Sequence, residues 1–483
     1  MTRKSPRDVA DDALGQLVER LATSHHRRRL RRVGWAIATD PPPGGWAEGQ
    51  PLPRPGNTLT VLIDGAEALQ AMAAAIAEAR SHVHITGWHI TPSFAMTRGE
   101  RPVVLKELLA EVAARIPVRV LIWAGVPVPV MRPRRGDVRK IRDELTAGSQ
   151  IQVALDARER PMHCHHEKTI VIDDRIAFVG GVDLTSFNGD RWDTPEHPPR
   201  GAVGWHDVAA RIAGPAVQDV AENFAMRWQA ITDERLPQVD TPSPAGDIEV
   251  QVVRTVPDGT YPQQLPRGDF RILESYLRAL RAAQRFIYLE NQFLWSPEIL
   301  AVLRDKLARP PTPDFRIVMV LPAKPDSGSD DTRGQLGTLV QADGDGGRLL
   351  ACTLYSIGGD KDWQVYIHAK VGIVDDAWMT IGSANLNEHS LFNDTEMNLV
   401  THDARLAQQT RLRLWAEHLQ LPVTEVAGDP TDVIDRLWKP IAREQAERRS
   451  RGERATHRLS TLPGVSRRSR LLLGPLQGLV VDA

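Results

Sequence analysis

The 483-residue sequence is poor in cysteine, in long apolar runs and in net charge, and each shortage excludes a class of protein. Its two cysteines, Cys164 and Cys352, rule out a disulfide framework and leave room for at most one bridge. No run of about 18 apolar residues occurs, which argues against a membrane span. The formal net charge of −1 predicts attraction neither to nucleic acid nor to an anionic membrane.

The residues that are present suit an ordinary soluble globular protein, with 42% hydrophobic and 25% charged residues. Met1 to Ser5 leads into polar sequence, whereas a classical secretory signal contains an apolar core of about 7–15 residues. We therefore expect a cytoplasmic or peripheral membrane protein, with export by a non-classical route left open.

A duplicated motif is the most informative pattern in the chain. Both copies read His-x-Lys-x4-Asp and are followed, after six further residues, by glycine. The copies are His166-Glu167-Lys168 with Asp173, and His368-Ala369-Lys370 with Asp375. A single His-x-Lys is common by chance, but two complete copies with the same downstream glycine are not. The duplication predicts two similar halves, each supplying one histidine and one lysine to a shared site.

The segments around the motifs predict an α/β fold built from two similar lobes. In each half a helix, a strand, a second helix and a second strand precede the motif. The predicted domains are an N-terminal basic helical extension (1–56), a first lobe (57–235), a Pro/Ser linker (236–247), a second lobe (248–425) and an Arg-rich tail (426–483). The Gly- and Asp-rich residues 326–347 predict a long mobile insertion that closes the site.

Both basic ends are expected to lie outside the folded lobes. The run His25–Arg32 is predicted to be a solvated helix face, with contact to an anionic surface as the alternative. The stretch Arg443–Arg470 is typical of a frayed helical tail.

Each motif also predicts a local structure. The apolar residues after each His-x-Lys indicate a β-hairpin whose first strand carries histidine and lysine on one face. The paired aspartates that follow, beginning at Asp173 and at Asp375, are turn residues. We expect these two aspartates to have a structural role rather than a catalytic one.

Two histidines and two lysines suit the cleavage of a phosphate diester. One neutral imidazole can attack phosphorus and form a covalent phosphohistidine. The second, protonated, can donate to the leaving alkoxide and then deprotonate water. The lysines stabilise the charge that develops on the phosphoryl oxygens. No metal or other cofactor is expected.

Each catalytic histidine needs a partner that fixes its tautomer. The predicted partner of His368 is Glu396, 28 residues later, and that of His166 is Asp193, 27 residues later. A zinc site in the run from His163 to His166 is disfavoured, because zinc usually draws four ligands from separated pairs. The sequence leaves His206 open between a core histidine and a substrate contact.

These residues resemble the phospholipase D superfamily, whose signature pairs His-x-Lys-x4-Asp with a following Gly-Ser-x-Asn. The second copy matches in full, with Ser383 and Asn385, whereas the first has Gly180-Gly181-Val182-Asp183. The resemblance implies two lobes related by a pseudo-twofold axis, with one active site at their seam. It makes His166 the nucleophile and His368 the general acid. Asn385, Ser383, Asp183 and Gln292 are the expected substrate-binding residues.

Flanking segments such as Gly204-Trp205-His206-Asp207 are similar to the phosphatidylcholine-type branch of that superfamily. This implies a phosphodiesterase acting on phospholipid head groups at a membrane surface, without a stable nucleic-acid partner. A cardiolipin synthase-like phosphatidyltransferase, a nuclease and a non-enzymatic lipid-binding scaffold remain alternatives. The head group and the oligomeric state stay open.

Overall fold

A computed structural model describes residues 6–127, 132–160, 163–323, 329–359 and 362–462. The N-terminal helices and the first lobe comprise α1 (Pro6–Arg32), α2 (Ala36–Thr39), β1 (Arg54–Ile63), α3 (Asp64–Ala77), β2 (Val83–Gly87), α4 (Leu105–Ala113), β3 (Val118–Trp123), α5 (Arg135–Thr146), β4 (Gln152–Asp156), β5 (Thr169–Ile172), β6 (Ile176–Gly180), β7 (Trp205–His206), β8 (Val208–Ala213) and α6 (Val217–Thr232).

The second lobe repeats this order and continues beyond it. It comprises β9 (Ile248–Val256), β10 (Asp269–Phe270), α7 (Arg271–Ala282), β11 (Phe286–Glu290), α8 (Pro297–Ala308), β12 (Arg316–Val320), α9 (Ser329–Asp343), β13 (Leu349–Ser356), β14 (Trp363–Gln364), β15 (Tyr366–Ile367), β16 (Val371–Val374), β17 (Trp378–Gly382), β18 (Glu396–Thr401), α10 (Ala404–Leu419), α11 (Val423–Val426), α12 (Pro430–Val433), α13 (Lys439–Ser450) and β19 (Leu459–Thr461). Short π-helical turns occur at His389–Asn393 and Ile434–Trp438.

The two sheets have the same strand order. In the first lobe the order is β4-β3-β2-β5-β6-β8-β1, with β4, β3 and β2 parallel and the remaining pairs antiparallel. In the second it is β13-β12-β11-β16-β17-β18-β9, with the same pattern of directions. An irregular pairing of β1 with β9 joins the sheets. The predicted α/β fold of two similar lobes is confirmed.

Packing explains why the strands are apolar on both faces. One core cluster draws residues from both sheets, including Val171 and Val179 of the first lobe and Val371 of the second. On the outer faces, α3 and α4 cover the first sheet, and α7, α8 and α9 cover the second. Strands buried on both faces read as continuous apolar runs, as these do. Among the described residues, no helix is long and apolar enough to cross a bilayer.

Both predicted hairpins are present, as β5–β6 and β16–β17. Their turn aspartates adopt left-handed backbone angles, with φ of 56° at Asp173 and 55° at Asp375. The carboxylate of Asp173 accepts hydrogen bonds from the backbone N–H groups of 80–82, and that of Asp375 from those of 284–286. Both therefore tie a turn to the start of a neighbouring strand, which is the predicted structural role. The strands begin only after each lysine, so the placement of histidine and lysine on the first strand was wrong.

The predicted mobile insertion at 326–347 is largely a packed helix. Within it, α9 buries Leu336 and Leu339 against the second lobe and packs on α8. The first lobe has α5 at the same place in its order. The segment is thus a repeated element of the fold, and the expectation of a lid is not supported by the described residues.

The two basic ends also belong to the fold. In α1, Leu30 is fully buried and the Arg29 guanidinium donates to Asn393 of the second lobe. Near the other end, Trp438 is fully buried, and β19 pairs with β13 at the edge of the second sheet. The second lobe therefore extends beyond the predicted boundary at 425, and residues 463–483 of the predicted tail lie outside the described residues. The linker 236–247 has no regular secondary structure, as its composition predicts.

Candidate active site

The two motifs meet where backbone segments of the lobes cross. Strand β7 of the first lobe pairs in parallel with β15 of the second. Beyond this pair, the N–H of His368 donates to the carbonyl of His206 at 2.8 Å. At the other motif the N–H of His166 donates to the carbonyl of Thr395 at 2.9 Å. Each histidine is thus held by the backbone of the opposite lobe.

The side-chain pairs cross between the lobes in the same way. His166 Nδ1 lies 2.9 Å from Glu396 Oε1, and His368 Nδ1 lies 2.6 Å from Asp207 Oδ2. The predicted pairings of Glu396 with His368 and of Asp193 with His166 were therefore wrong. Glu396 is part of the site but belongs to the other histidine. Asp193 instead contacts His197 Nδ1 at 3.0 Å and forms an ion pair with Arg200.

Asp207 is the residue that sequence reasoning missed. It directly precedes β8, as Glu396 begins β18, and these strands occupy equivalent places in the two sheets. The near-equal offsets of 27 and 28 residues selected Asp193 because the connection between β6 and β8 is longer than that between β17 and β18. Alignment of the strands that follow each hairpin would have identified Asp207.

The two imidazoles face each other in a buried site. Their ring centroids are 6.5 Å apart, and the planes meet at 70°. Lys168 Nζ donates to the backbone carbonyl of His166 at 3.0 Å and lies 3.2 Å from Asp183 Oδ2. Lys370 Nζ donates to the carbonyl of His368. The predicted catalytic histidines and lysines are therefore together in one place.

Three of the expected substrate-binding residues lie beside a motif lysine, and the fourth, Ser383, lies beside Glu396. Gln292 Oε1 accepts from Lys370 Nζ and from Asn385 Nδ2, both at 3.3 Å, so Gln292 and Asn385 lie beside the second lysine. Asp183 takes the equivalent place beside Lys168. The hydroxyl of Ser383 donates to Glu396 Oε2 and so positions that carboxylate. Its contact with substrate stays a prediction.

Burial and positive charge set the protonation of the second histidine. Burial, together with Lys370, Lys168 and Arg191, holds the pKa of His368 well below its usual value. Burial is the largest of these effects, and the pKa is lowered even though the Asp207 carboxylate contacts the ring. Burial also lowers the pKa of Lys370 to about 7. The site therefore has an excess of cationic groups that a bound phosphodiester anion would offset.

The two carboxyl groups differ in their surroundings. Burial raises the pKa of Asp207 to about 6 and raises that of Glu396 well above its usual value. Two hydroxyls donate to Glu396, from Ser383 and, at 2.5 Å, from Ser390. The carboxyl partner of His166 therefore shares its negative charge with two hydroxyl donors as well as with the imidazole.

The alternatives raised by the nearby histidines can now be decided. His206 is fully buried, with Nδ1 2.8 Å from Asp64 and Nε2 2.8 Å from Glu290, so it belongs to the interior. The run 163–166 does not converge on one point. His163 contacts His389, His165 contacts Thr395, and Cys164 lies in an apolar cluster. Both cysteines are buried and neither is in a disulfide, so the single possible bridge is not formed.

Comparisons with known proteins match one family model to each lobe. The model described as "Phospholipase D" matches residues 75–204, and that described as "Cardiolipin synthase, PLD-like domain" matches residues 276–416. "Phospholipase D A" of Dictyostelium discoideum is 26% identical over 471 residues, which cover 78% of this chain and 37% of that protein. "Phospholipase D alpha 4" of Arabidopsis thaliana is 24% identical, covering 71% of this chain and 62% of that protein. The chain thus spans between about one third and two thirds of the length of these relatives.

A solved structure shares the fold. The crystal structure of phosphatidylserine synthase from Haemophilus influenzae Rd KW20 has a TM-score of 0.53 and 12% sequence identity, covering 80% of this chain and 89% of that one. The matched family models fall one on each lobe, and each contains one of the two His-x-Lys motifs. The chain therefore belongs to the phospholipase D superfamily.

Proposed function

We propose that this protein is a phospholipase D-type phosphodiesterase that cleaves glycerophospholipid head groups through a covalent phosphohistidine. The observation that carries the proposal is the pair of facing histidines, His166 and His368, each with a carboxyl group at Nδ1. With Nδ1 engaged in this way, Nε2 is the ring nitrogen that would react at phosphorus. One nucleophile and one acid on opposite sides of a diester are what a two-step displacement requires.

In the first step His166 Nε2 attacks phosphorus, and the bond from phosphorus to the head-group oxygen breaks. His368 gives its Nε2 proton to that oxygen, so the head group leaves as an alcohol. Lys168 and Lys370 stabilise the negative charge on the non-bridging oxygens. In the second step His368 takes a proton from water, which attacks the phosphohistidine and releases phosphatidate.

The surroundings of the two carboxyl groups support this division of roles. Asp207, whose pKa is about 6, is ionised at neutral pH and stabilises an imidazolium at His368. Glu396, whose pKa burial raises well above its usual value and whose carboxyl group also accepts from Ser383 and Ser390, gives His166 less support for a proton. A neutral His166 is the better nucleophile. The bound phosphodiester offsets the neighbouring lysines and so restores the proton affinity of His368.

The names of the relatives, several of which are phospholipases D, support the proposed substrate class. We place the reaction at a membrane surface, because α1 exposes Leu17 and Leu21 beside basic residues such as Arg20 and Arg28. This arrangement suits a peripheral membrane protein that contacts anionic lipid. A phosphatidyltransferase is the second candidate, supported by the cardiolipin synthase description of the model that matches the second lobe.

The test is a product analysis on vesicles of single phospholipids and on single-stranded DNA, each with and without a primary alcohol. We expect release of the head group and formation of the phosphatidyl-alcohol, with net retention of configuration at phosphorus because two inversions occur. His166→Ala serves as the inactive control. Inversion on a chiral phosphorothioate substrate would contradict the covalent route. Cleavage of DNA but of no phospholipid would replace the substrate assignment.

A further inference from the structure

A second cluster of titratable side chains lies behind His368 and is not used by the proposed chemistry. It brings together Asp64, His197 and His206 of the first lobe and Glu417 of the second, each with one ligand-type atom within 4.8 Å of the others. The two histidine side chains and that of Asp64 are fully buried, and that of Glu417 is 5% exposed. Charged groups so deep in a protein are generally paired or coordinate a metal.

Three distances within the cluster are close to those of a tetrahedral zinc site, and the other ligand atoms lie within 4.8 Å of one another. His206 Nδ1 lies 2.8 Å from Asp64 Oδ1 and 3.2 Å from Glu417 Oε1, and His197 Nε2 also lies 3.2 Å from Glu417 Oε1. Zinc bonds of about 2.0–2.2 Å to nitrogen and oxygen place neighbouring ligands roughly 3.3–3.6 Å apart in a tetrahedral site. Small side-chain movements would therefore be enough for the four atoms to surround one cation.

Without a metal ion, hydrogen bonds alone do not satisfy every polar atom of this cluster. His206 Nδ1 carries at most one proton but faces two carboxylates, and one N–H cannot point fully at both. Asp64 Oδ2 is buried and has no hydrogen-bond partner among the described residues. A dication at the centre would contact Asp64, Glu417 and both imidazoles at once.

The ring nitrogen of each histidine that points away from the cluster contacts a carboxylate, as is common for metal-bound histidines. His197 uses Nε2 toward the cluster, and its Nδ1 lies 3.0 Å from Asp193. His206 uses Nδ1 toward the cluster, and its Nε2 lies 2.8 Å from Glu290. A metal-bound histidine usually donates its other ring N–H to a carboxylate, which fixes the tautomer. Both candidate ligands already have that carboxylate in place.

We propose that Asp64, His197, His206 and Glu417 form a structural zinc site that joins the two lobes. Two nitrogen and two oxygen ligands in tetrahedral arrangement suit Zn²⁺. All four positions of the proposed site are filled by protein ligands, which is the form of a structural rather than a catalytic zinc site. It acts on catalysis through position, because the carbonyl of His206 accepts the N–H of His368 and the next residue is Asp207.

The test uses the full chain, produced in medium with added Zn²⁺ or Co²⁺ and purified without metal-affinity steps. We expect one equivalent of metal per chain by elemental analysis, and the absorption bands of tetrahedral Co²⁺ in the cobalt form. The zinc X-ray absorption spectrum should show nitrogen and oxygen neighbours at about 2.0–2.2 Å and no sulfur. His197→Gln and Glu417→Gln should each lose the metal.

His418→Gln is the matched control. His418 Nε2 lies 2.9 Å from Glu290, so the substitution disturbs the same buried network without removing a proposed ligand. It should retain one equivalent of metal. Metal content that falls equally in all three variants, or wild-type protein that holds only traces of metal and unfolds at the same temperature with zinc as with EDTA, would overturn the proposal. The cluster would then be a proton-bridged ion-pair network.

Discussion

Asp207→Asn tests the crossed pairing that the structure reveals at the active site. The substitution keeps the size of the side chain and removes the negative charge 2.6 Å from His368 Nδ1. A hydrogen bond to a charged group contributes about 1.5–3 kcal/mol. At about 1.36 kcal/mol per factor of ten, its loss alone lowers the rate by about 10- to 150-fold.

The loss becomes larger if the amide also favours the wrong tautomer of the imidazole. In the Ser-His-Asp triad of a serine protease, the corresponding aspartate-to-asparagine change lowers kcat by about 10⁴. We therefore expect Asp207→Asn to lower kcat on a natural phospholipid by about 10²- to 10⁴-fold.

Substrates with good and poor leaving groups distinguish the role of Asp207 from that of Glu396. Because Asp207 acts through the general acid, its loss should matter much less for a diester with a nitrophenolate leaving group, which needs no proton. Glu396→Gln acts through the nucleophile, and its deficit should be similar for good and poor leaving groups. A burst of phenolate measured against steady-state turnover reports the first step directly.

Asp193→Asn is the control that distinguishes the crossed pairing from the sequence-based one. Measured per folded molecule in zinc-supplemented buffer, it should leave the rate of phosphoenzyme formation within a few-fold of wild type, because Asp193 contacts His197 and Arg200. If Asp193→Asn abolishes the first step and Asp207→Asn changes neither step, the pairing described here is refuted.

The remaining predictions concern the two histidines, Lys370 and the N-terminal helix. With a good leaving group, His368→Ala should accumulate a phosphoenzyme labelled on His166, whereas His166→Ala should give none; label on His368 would reverse the roles. In double-mutant cycles read by unfolding free energy, Glu396 should couple to His166 by about 1–3 kcal/mol and to His368 by less than about 0.5 kcal/mol. The pKa of about 7 at Lys370 predicts that kcat/KM on a soluble diester falls as pH rises above about 7; a flat profile to pH 9 would contradict this. Burial lowers the pKa of His26, but hydrogen bonds to Glu298 and Glu388 outweigh it and raise the pKa to about 9. Below pH 6.5 the unfolding free energy of the wild type should therefore exceed that of His26→Gln by about 3 kcal/mol. The difference should vanish as pH rises through 9.

The sequence was sufficient for features that depend on local pattern and on repetition. The copy at 368 of the motif at 166 predicted two similar lobes, and the paired aspartates predicted the turns of both hairpins. Gln292 and Asn385, which the resemblance assigns to substrate binding, lie beside Lys370, and each follows a strand that ends at the site; their contact with substrate stays a prediction.

Features that depend on contacts between distant segments were beyond that reasoning. Nothing in the spacing of Glu396 indicates that it crosses to His166, because that contact depends on how the lobes dock. Helix α9 was missed for a different reason, since its glycine and aspartate content resembles a loop. Its counterpart α5 in the first lobe was the available signal, and comparison of the two halves element by element would have found it.

The crossed pairs also join the duplicated halves into one site. Each lobe supplies a histidine to the site but takes the carboxyl partner of that histidine from the other lobe. The backbone hydrogen bonds from His166 to Thr395 and from His368 to His206 also run from one lobe to the other. A small change in docking would therefore lengthen both histidine–carboxyl contacts together, and a hydrogen bond weakens steeply with distance and angle. The proposed zinc ligands span this same seam, so the rigidity of the lobe interface is itself a requirement for the chemistry.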